Sequence, residues 1–104
     1  MSPNFVDILV IGGGVIGLAI AKSFAAKGHE VIVLEKENTF GSVTSSRNSG
    51  VIHAGVYYDK DSMKAKFCAD GNRRMYEYCQ KFNVPHINTG NFILSTYSNE
   101  IPKL

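Results

Sequence analysis

Two apolar segments flank a helical pattern at the start of the chain. The run Phe5–Ile11 is almost wholly apolar and β-branched, which is typical of a strand buried on both faces of a parallel sheet. Glycines follow it, and Val15–Lys27 then has the apolar periodicity of a helix. The apolar positions of that helix are Ile16, Ala19, Ile20 and Phe24. Gly28 stands where a left-handed cap commonly ends a helix, and Val31–Leu34 follows as a second strand. The pattern predicts one parallel β-α-β crossover.

The rest of the chain has one strong helical pattern. Residues 37–48 are polar and predict a loop, with a short helical turn near Ser46–Gly50. Ser62 is a suitable N-cap for a long helix that runs to about Phe82. Phe92–Thr96 is predicted as a last strand.

The long helix has one apolar stripe and a basic remainder. The stripe comprises Phe67, Cys68, Met75, Tyr78, Cys79 and Phe82. The basic residues Lys64, Arg73, Arg74 and Lys81 are interpreted as a solvated face. Cys68 and Cys79 lie on one helix face about 16 Å apart at 1.5 Å per residue, which is too far for a disulfide. We interpret both as small buried hydrophobic residues.

Composition limits the classes of function. A chain of 104 residues with 44% hydrophobic and 19% charged residues fits at most one globular domain. A formal charge of +2 without a basic run argues against nucleic acid. The sequence has no spacing typical of a metal site, and the N-terminus lacks the basic segment of a signal peptide. These features predict a cytoplasmic chain, with a peripheral position at the inner face of the membrane as the alternative.

The run Gly12–Gly17 (GGGVIG) fits the GxGxxG pattern in the right context, after a strand and at the start of a helix. Gly12 permits the sharp turn, and Gly14 lets a pyrophosphate approach the backbone. Gly17 allows the helix to pack closely on the strand. The alternative is a glycine turn in an α/β protein that binds nothing.

The start of the helix and the end of the second strand complete the pattern. The amides of Val15 and Ile16 are predicted phosphate donors, because a helix N-terminus has unpaired N–H groups and a positive dipole end. Glu35 is expected to accept hydrogen bonds from the adenosine ribose and to repel a 2′-phosphate, which argues against NADP. Its neighbour Lys36 is a further predicted cofactor contact. The pattern does not separate FAD from NAD.

A resemblance separates these two cofactors. Residues 44–58 resemble the second flavin-binding segment of the D-amino-acid oxidase-like FAD-dependent oxidoreductases. Asn48–Tyr58 (NSGVIHAGVYY) is more narrowly similar to the L-2-hydroxyglutarate dehydrogenases. Ser62–Cys68, Gly71 and Tyr76–Cys79 extend the similarity.

The resemblance implies an α/β, Rossmann-like FAD-binding domain and hydride transfer from a 2-hydroxy acid to FAD. The electrons would pass to a quinone or another acceptor. His53 becomes the candidate for a catalytic residue beside the flavin, and the alternative is a histidine that holds the loop through hydrogen bonds. The loop residues implied to contact phosphate or flavin are Ser45, Ser46, Arg47, Asn48 and Ser49.

Two departures from that family change the expectations. Many relatives carry His where this chain has Arg47, so we expect non-covalent FAD, and Asn91 replaces a common Lys and leaves the substrate open. Residues 1–104 are interpreted as the N-terminal portion of an incomplete FAD-binding domain, without a substrate domain. A complementing chain is one source of the missing part. The alternatives are a non-catalytic nucleotide-binding remnant and a relative of glycerol-3-phosphate dehydrogenases or amine oxidases.

Overall fold

The computed structural model describes residues 5–103. The prediction that the N-terminus lacks a signal peptide depends partly on residues 1–4, which lie outside the described residues. The chain is an α/β protein whose regular elements are strand β1 (Ile8–Ile11), helix α1 (Val15–Ala25), strand β2 (Val31–Leu34) and helix α2 (Met63–Lys81). It divides into two compact units at about residue 51. The first contains β1, α1 and β2, and the second contains α2. Within residues 5–103, no helix is long and apolar enough to cross a membrane.

The two strands pair in parallel, which confirms the predicted crossover. Ile8 lies opposite Val31, and the register continues to the end of both strands. The prediction that β1 begins at Phe5 is wrong, because β2 offers no partner before Val31. The residue before β1 is Asp7, and its carboxylate, rather than its backbone, accepts a hydrogen bond of 3.0 Å from the backbone N–H of Glu30.

The sheet is covered on one face only. Ile8 and Val10 of β1 are half-buried, whereas Leu9 and Ile11 are exposed, Ile11 to 83%. Strand β2 shows the same alternation. The predicted burial on both faces is therefore wrong for these strands; within the first unit, α1 packs on them.

Helix α1 packs through its small residues. Ala21 is buried and Gly17 is half-buried, while Ile16, Ile20 and Phe24 of the predicted apolar face are exposed. A face of small residues brings the helix backbone close to the strand, and the larger side chains Ile16, Ile20 and Phe24 keep more than a third of their surface exposed. The helix ends at Ala25, two residues before the predicted end, and Gly28 has the expected left-handed conformation at φ +89°.

The polar loop contains a single 3-10 turn at Thr44–Ser46, earlier than the predicted turn near Ser46–Gly50. The carbonyl oxygens of Val43 and Thr44 accept hydrogen bonds of 3.2 Å from the backbone N–H groups of Ser46 and Arg47. The side chain of Asn48 donates back to the turn and accepts from Gly50, and this local competition ends the helical geometry.

The second unit is built on α2. Ser62 is its N-cap, as predicted, and its hydroxyl oxygen accepts a 3.1 Å hydrogen bond from the backbone N–H of Ala65. Cys79 is buried and Cys68 is half-buried, and both are free thiols. The other members of the apolar stripe, Phe67, Met75, Tyr78 and Phe82, are exposed. The predicted solvated basic face is confirmed, and Arg73 on it pairs with Asp70 and Glu77.

The predicted last strand is absent: among the described residues, Phe92–Thr96 forms no strand. A strand needs a neighbour to satisfy its backbone N–H and C=O groups, and the sheet within residues 5–103 contains only β1 and β2. Phe92 is 96% exposed, so this apolar segment is not covered either. A 3-10 segment, Ser98–Lys103, follows it.

Candidate functional site

A glycine corner connects β1 to α1. Gly12 has φ +105°, which L side chains rarely adopt, and its backbone N–H donates a 2.8 Å hydrogen bond to the carbonyl oxygen of Leu34. A Cβ atom on Gly17 would collide with the carbonyl oxygen of Gly12 and lie 3.4 Å from Val10 Cγ1. The turn and the close helix-to-strand contact therefore both require glycine.

The half-buried carboxylate of Glu35 lies beside this corner. Its Oε2 accepts a 2.7 Å hydrogen bond from the backbone N–H of Gly13, and its Oε1 accepts one of 2.9 Å from Glu37. The N–H groups of Glu37 and Gly13 hold the pKa of Glu35 below its usual value. Each carboxylate oxygen has a second acceptor position, so Glu35 can also accept hydrogen bonds from two ligand hydroxyls.

The loop after β2 folds onto the same corner. The backbone N–H of Gly41 donates a 2.9 Å hydrogen bond to the carbonyl oxygen of Gly13, and a Cβ on Gly13 would collide with the ring of Phe40. Ser45 Oγ accepts a 2.9 Å hydrogen bond from the backbone N–H of Val15, the first residue of α1. A hydroxyl that accepts from the helix can still donate its own proton, so Ser45 can also contact an anion at this position.

These contacts border a small, half-open cavity of about 170 Å³ at the start of α1. Its lining residues are Gly14, Glu35, Gly41, Ser42, Val43, Thr44 and Ser45. A Cβ on Gly14 would lie 3.2 Å from Ser45 Oγ, so a side chain here would crowd the cavity wall. The volume is below the roughly 300–1,000 Å³ of complete small-molecule pockets, which means that these residues can enclose only part of a dinucleotide.

The structure brings together only some of the predicted cofactor contacts. Gly14, Glu35 and Ser45 line the cavity, and the backbone of Val15 is bonded to Ser45. Lys36 is exposed, and its Nζ lies 3.6 Å from a carboxylate oxygen of Glu37. The exposed predicted contacts Ile16, Ser46, Arg47, Asn48 and Ser49 do not line the cavity, and neither do the half-buried Gly12 and Gly17.

His53 belongs to the second unit and is exposed. Its carbonyl oxygen and that of Ile52 face the side-chain amide of Asn72 on α2. Gly55, two residues further on, has φ +86° and lies against the same helix. The histidine is therefore part of a loop that rests on α2.

The family to which the chain is similar is consistent with a nucleotide-binding role for the glycine corner and Glu35. The family described as FAD dependent oxidoreductase matches residues 7–104, almost the whole chain. The chain belongs to this FAD-dependent oxidoreductase family. Members of the family depend on FAD, which fits a corner that offers helix amides to phosphates and a carboxylate to a sugar.

Curated relatives make the match narrower. The chain is 52% identical over 99 residues to the mitochondrial L-2-hydroxyglutarate dehydrogenase of Arabidopsis thaliana, covering 95% of this chain and 20% of the relative. It is 39% identical over 105 residues to the human protein of the same name, covering 99% of this chain and 23% of the relative. The protein of that name from Dictyostelium discoideum is 38% identical over 100 residues, which cover 94% of this chain and 22% of the relative. The chain thus spans about a fifth of the length of these dehydrogenases.

The sequence analysis missed the residues that close the corner from the loop side. Phe40 and Gly41 contact the corner, and Ser42, Val43 and Thr44 line the cavity. The available signal was Gly41, with φ +67°, in the middle of a run of small polar residues. A glycine among small polar residues predicts a turn. It does not predict that Phe40 and Gly41 contact Gly13, because that contact depends on the path of the loop after β2.

Proposed function

We propose that the chain is the N-terminal portion of a Rossmann-like FAD-binding domain and that its glycine corner binds the ADP half of FAD. One observation carries this proposal: Gly14, Ser45 and Glu35 line a single cavity at the N-terminus of α1. A family match over residues 7–104 supports FAD as the dinucleotide.

Each residue of the corner has a separate part in binding. The first turn of α1 has N–H groups that the helix cannot satisfy by itself. That of Val15 donates to Ser45 Oγ, and the Ser45 hydroxyl in turn adds a donor for the pyrophosphate. Glu35 accepts hydrogen bonds from the adenosine ribose, and its negative charge disfavours a 2′-phosphate. Glu35 is ionised at neutral pH, and the N–H groups of Glu37 and Gly13 lower its pKa further from that range.

The reaction of the whole protein follows from its relatives. We infer that it oxidises the C2 alcohol of L-2-hydroxyglutarate, or of a close 2-hydroxy acid, to the 2-oxo acid. The chemistry that FAD supplies when bound is acceptance of the C2 hydride, with the electrons passed on to a quinone or another acceptor. His53 takes the proton of the C2 hydroxyl as a general base.

The substrate groups are expected outside this chain. The relatives are four to five times longer, so the residues that cover the substrate come from a further part of the protein or from a complementing chain. The cytoplasmic location stays a prediction, because it rests on sequence features alone and the relatives are named mitochondrial. Subcellular fractionation with an antibody against this chain tests it.

Titration with FAD, followed by quenching of flavin fluorescence, tests the corner. We expect saturable binding that ADP competes away and that Gly14→Ala weakens about tenfold or more, the worth of one charge-assisted hydrogen bond. Gly71→Ala is the matched control, because a Cβ at this helical glycine meets nothing within 4 Å. Equal affinities for the two variants, or binding that ADP does not compete, would contradict the proposal.

A nucleotide-binding remnant without catalysis is the second candidate. The size of the cavity favours it for the isolated 104 residues, because about 170 Å³ holds only part of a flavin dinucleotide. We therefore expect no reduction of a redox dye by L-2-hydroxyglutarate with this chain alone. Turnover by the isolated chain would rule out the remnant. Flavin that stays with the protein through acid precipitation would show that the expected non-covalent binding is wrong.

A further inference from the structure

The loop that carries His53 is attached to helix α2 by a side-chain amide. Asn72 lies near the middle of the helix and is half-buried. Its Nδ2 donates a 3.2 Å hydrogen bond to the carbonyl oxygen of Ile52 and a longer one of 3.5 Å to that of His53. The amide therefore holds the carbonyl of Ile52 by a hydrogen bond of ordinary length and makes a weaker contact with the carbonyl of the candidate base.

A second contact follows immediately along the chain. A Cβ on Gly55 would lie 3.0 Å from the carbonyl oxygen of Ala65 and 3.1 Å from Cys68 Cβ, so the loop backbone touches α2 here. The N–H of Tyr58 donates a 3.3 Å hydrogen bond back to Gly55, which closes a turn on the helix. The backbone on the far side of His53 is therefore also fixed.

We propose that Asn72 is a positioning residue that fixes the His53 backbone on α2 and so directs the imidazole. The inference rests on the proposed function, in which His53 takes the hydroxyl proton. Asparagine is a weak helix former, so its place within α2 does not stabilise the helix by itself. Its two amide protons explain the position, because both carbonyls lie within reach of Nδ2.

The two cysteines of α2 allow a direct test in the full chain. Cys68 lies under Gly55, and the buried Cys79 reports on unfolding of the helix. We expect Asn72→Ala to raise the rate of Cys68 alkylation about fivefold, which corresponds to one hydrogen bond of typical strength, and to leave Cys79 unchanged. Asn72→Asp keeps the size of the side chain but points acceptors at two carbonyls, so it should raise the Cys68 rate further.

Histidine ring signals in proton NMR give the spectroscopic signature. The His53 resonances should shift in both Asn72 variants, while those of His29, which belongs to the first unit, serve as the internal reference. Gln80→Ala, at an exposed amide side chain of the same helix, is the matched control and should change neither the signals nor the labelling. Wild-type behaviour of Asn72→Asp would show that side-chain size is what matters, and would overturn the proposal.

The remaining outcomes are equally decisive. Faster labelling of Cys79 together with Cys68 would mean that Asn72 only stabilises the helix, and would also overturn the positioning role. Labelling and NMR need no flavin, so their failure leaves the glycine corner untouched. A chain that binds no FAD, while the Asn72 variants behave as expected, would remove the proposed function and leave the attachment of the loop standing.

Discussion

Replacing Gly17 by alanine tests the packing that shapes the glycine corner. The added methyl group would collide with the carbonyl oxygen of Gly12, and Val10 Cγ1 lies 3.4 Å from it on the other side. A flexible side chain could swing aside, but a backbone oxygen in a tight turn cannot. Helix α1 must therefore move away from β1, and the start of the helix moves with it.

Two opposing effects set the size of the change. Overpacking a close contact costs about 1–3 kcal/mol, and a rigid backbone obstacle places this site toward the upper end. Alanine instead of glycine inside a helix returns about 1 kcal/mol. We expect a net loss of about 1–2 kcal/mol in the first unit, together with weaker FAD binding.

Gly71→Ala is the matched comparison. Both glycines are helical, but a Cβ on Gly71 meets nothing within 4 Å, so only the helix-propensity gain of about 1 kcal/mol remains. Hydrogen exchange of individual amides under increasing urea measures the stabilities of α1 and α2 separately. The two substitutions should change stability in opposite directions. A Gly17→Ala variant as stable as the wild type would refute the close packing of α1 on the strand.

Three further predictions concern single contacts. The lowered pKa of Glu35 means that its stabilising contribution is complete above about pH 4.5 and is lost as the pH falls through the lower folded-state pKa. Glu35→Gln should flatten that acid part of a urea-midpoint profile. Ser45→Ala removes the hydroxyl that accepts from Val15 and should cost the first turn of α1 about 1 kcal/mol, measured by amide exchange. Ser62→Ala should cost α2 about 1 kcal/mol in thermal unfolding followed by circular dichroism, because its N-cap is lost.

Each of these predictions has a contrary result. An unchanged acid profile in Glu35→Gln would mean that its two backbone donors do not depend on the charge. Equal loss of protection along the whole of α1 in Ser45→Ala would point to general destabilisation rather than to a local cap. If Ser62→Gly cost much more than Ser62→Ala, backbone entropy and not the hydroxyl would explain the effect, since glycine is itself a tolerated N-cap.

Elements that depend on neighbours in the sequence were predicted well. The bounds of β2, the left-handed Gly28 and the Ser62 cap of α2 match the structure. Each depends on local chemistry: β-branched residues favour a strand, glycine tolerates positive φ, and a serine hydroxyl accepts from the first turn of a helix. The GxGxxG pattern was as informative for Gly12, which has a positive φ, and for Gly17, which lies against the carbonyl oxygen of Gly12; the contact of Gly14 with Ser45 comes from a distant loop.

Features that depend on distant partners were predicted poorly. The periodicity of α1 indicated Ile16, Ile20 and Phe24 as its packing face, but the helix approaches the strands through Gly17 and Ala21. Large apolar residues indicate a helix face that can pack against another surface. Small residues indicate a face on which the helix backbone can come closest to the strands. An apolar pattern does not say which of these two faces meets the sheet.

Sequence alone predicted the parallel crossover, the glycine turn and the capped second helix. The turn and the cap follow from interactions within a few residues, and the crossover follows from the order strand, helix, strand along the chain. Only the tertiary structure decided where β1 begins, that Phe92–Thr96 has no strand partner among the described residues, and that the loop at Phe40–Ser45 closes over Gly13 and Glu35. These outcomes depend on hydrogen-bond partners and surfaces that lie far away along the chain. A strand or a binding site forms only where such partners are present.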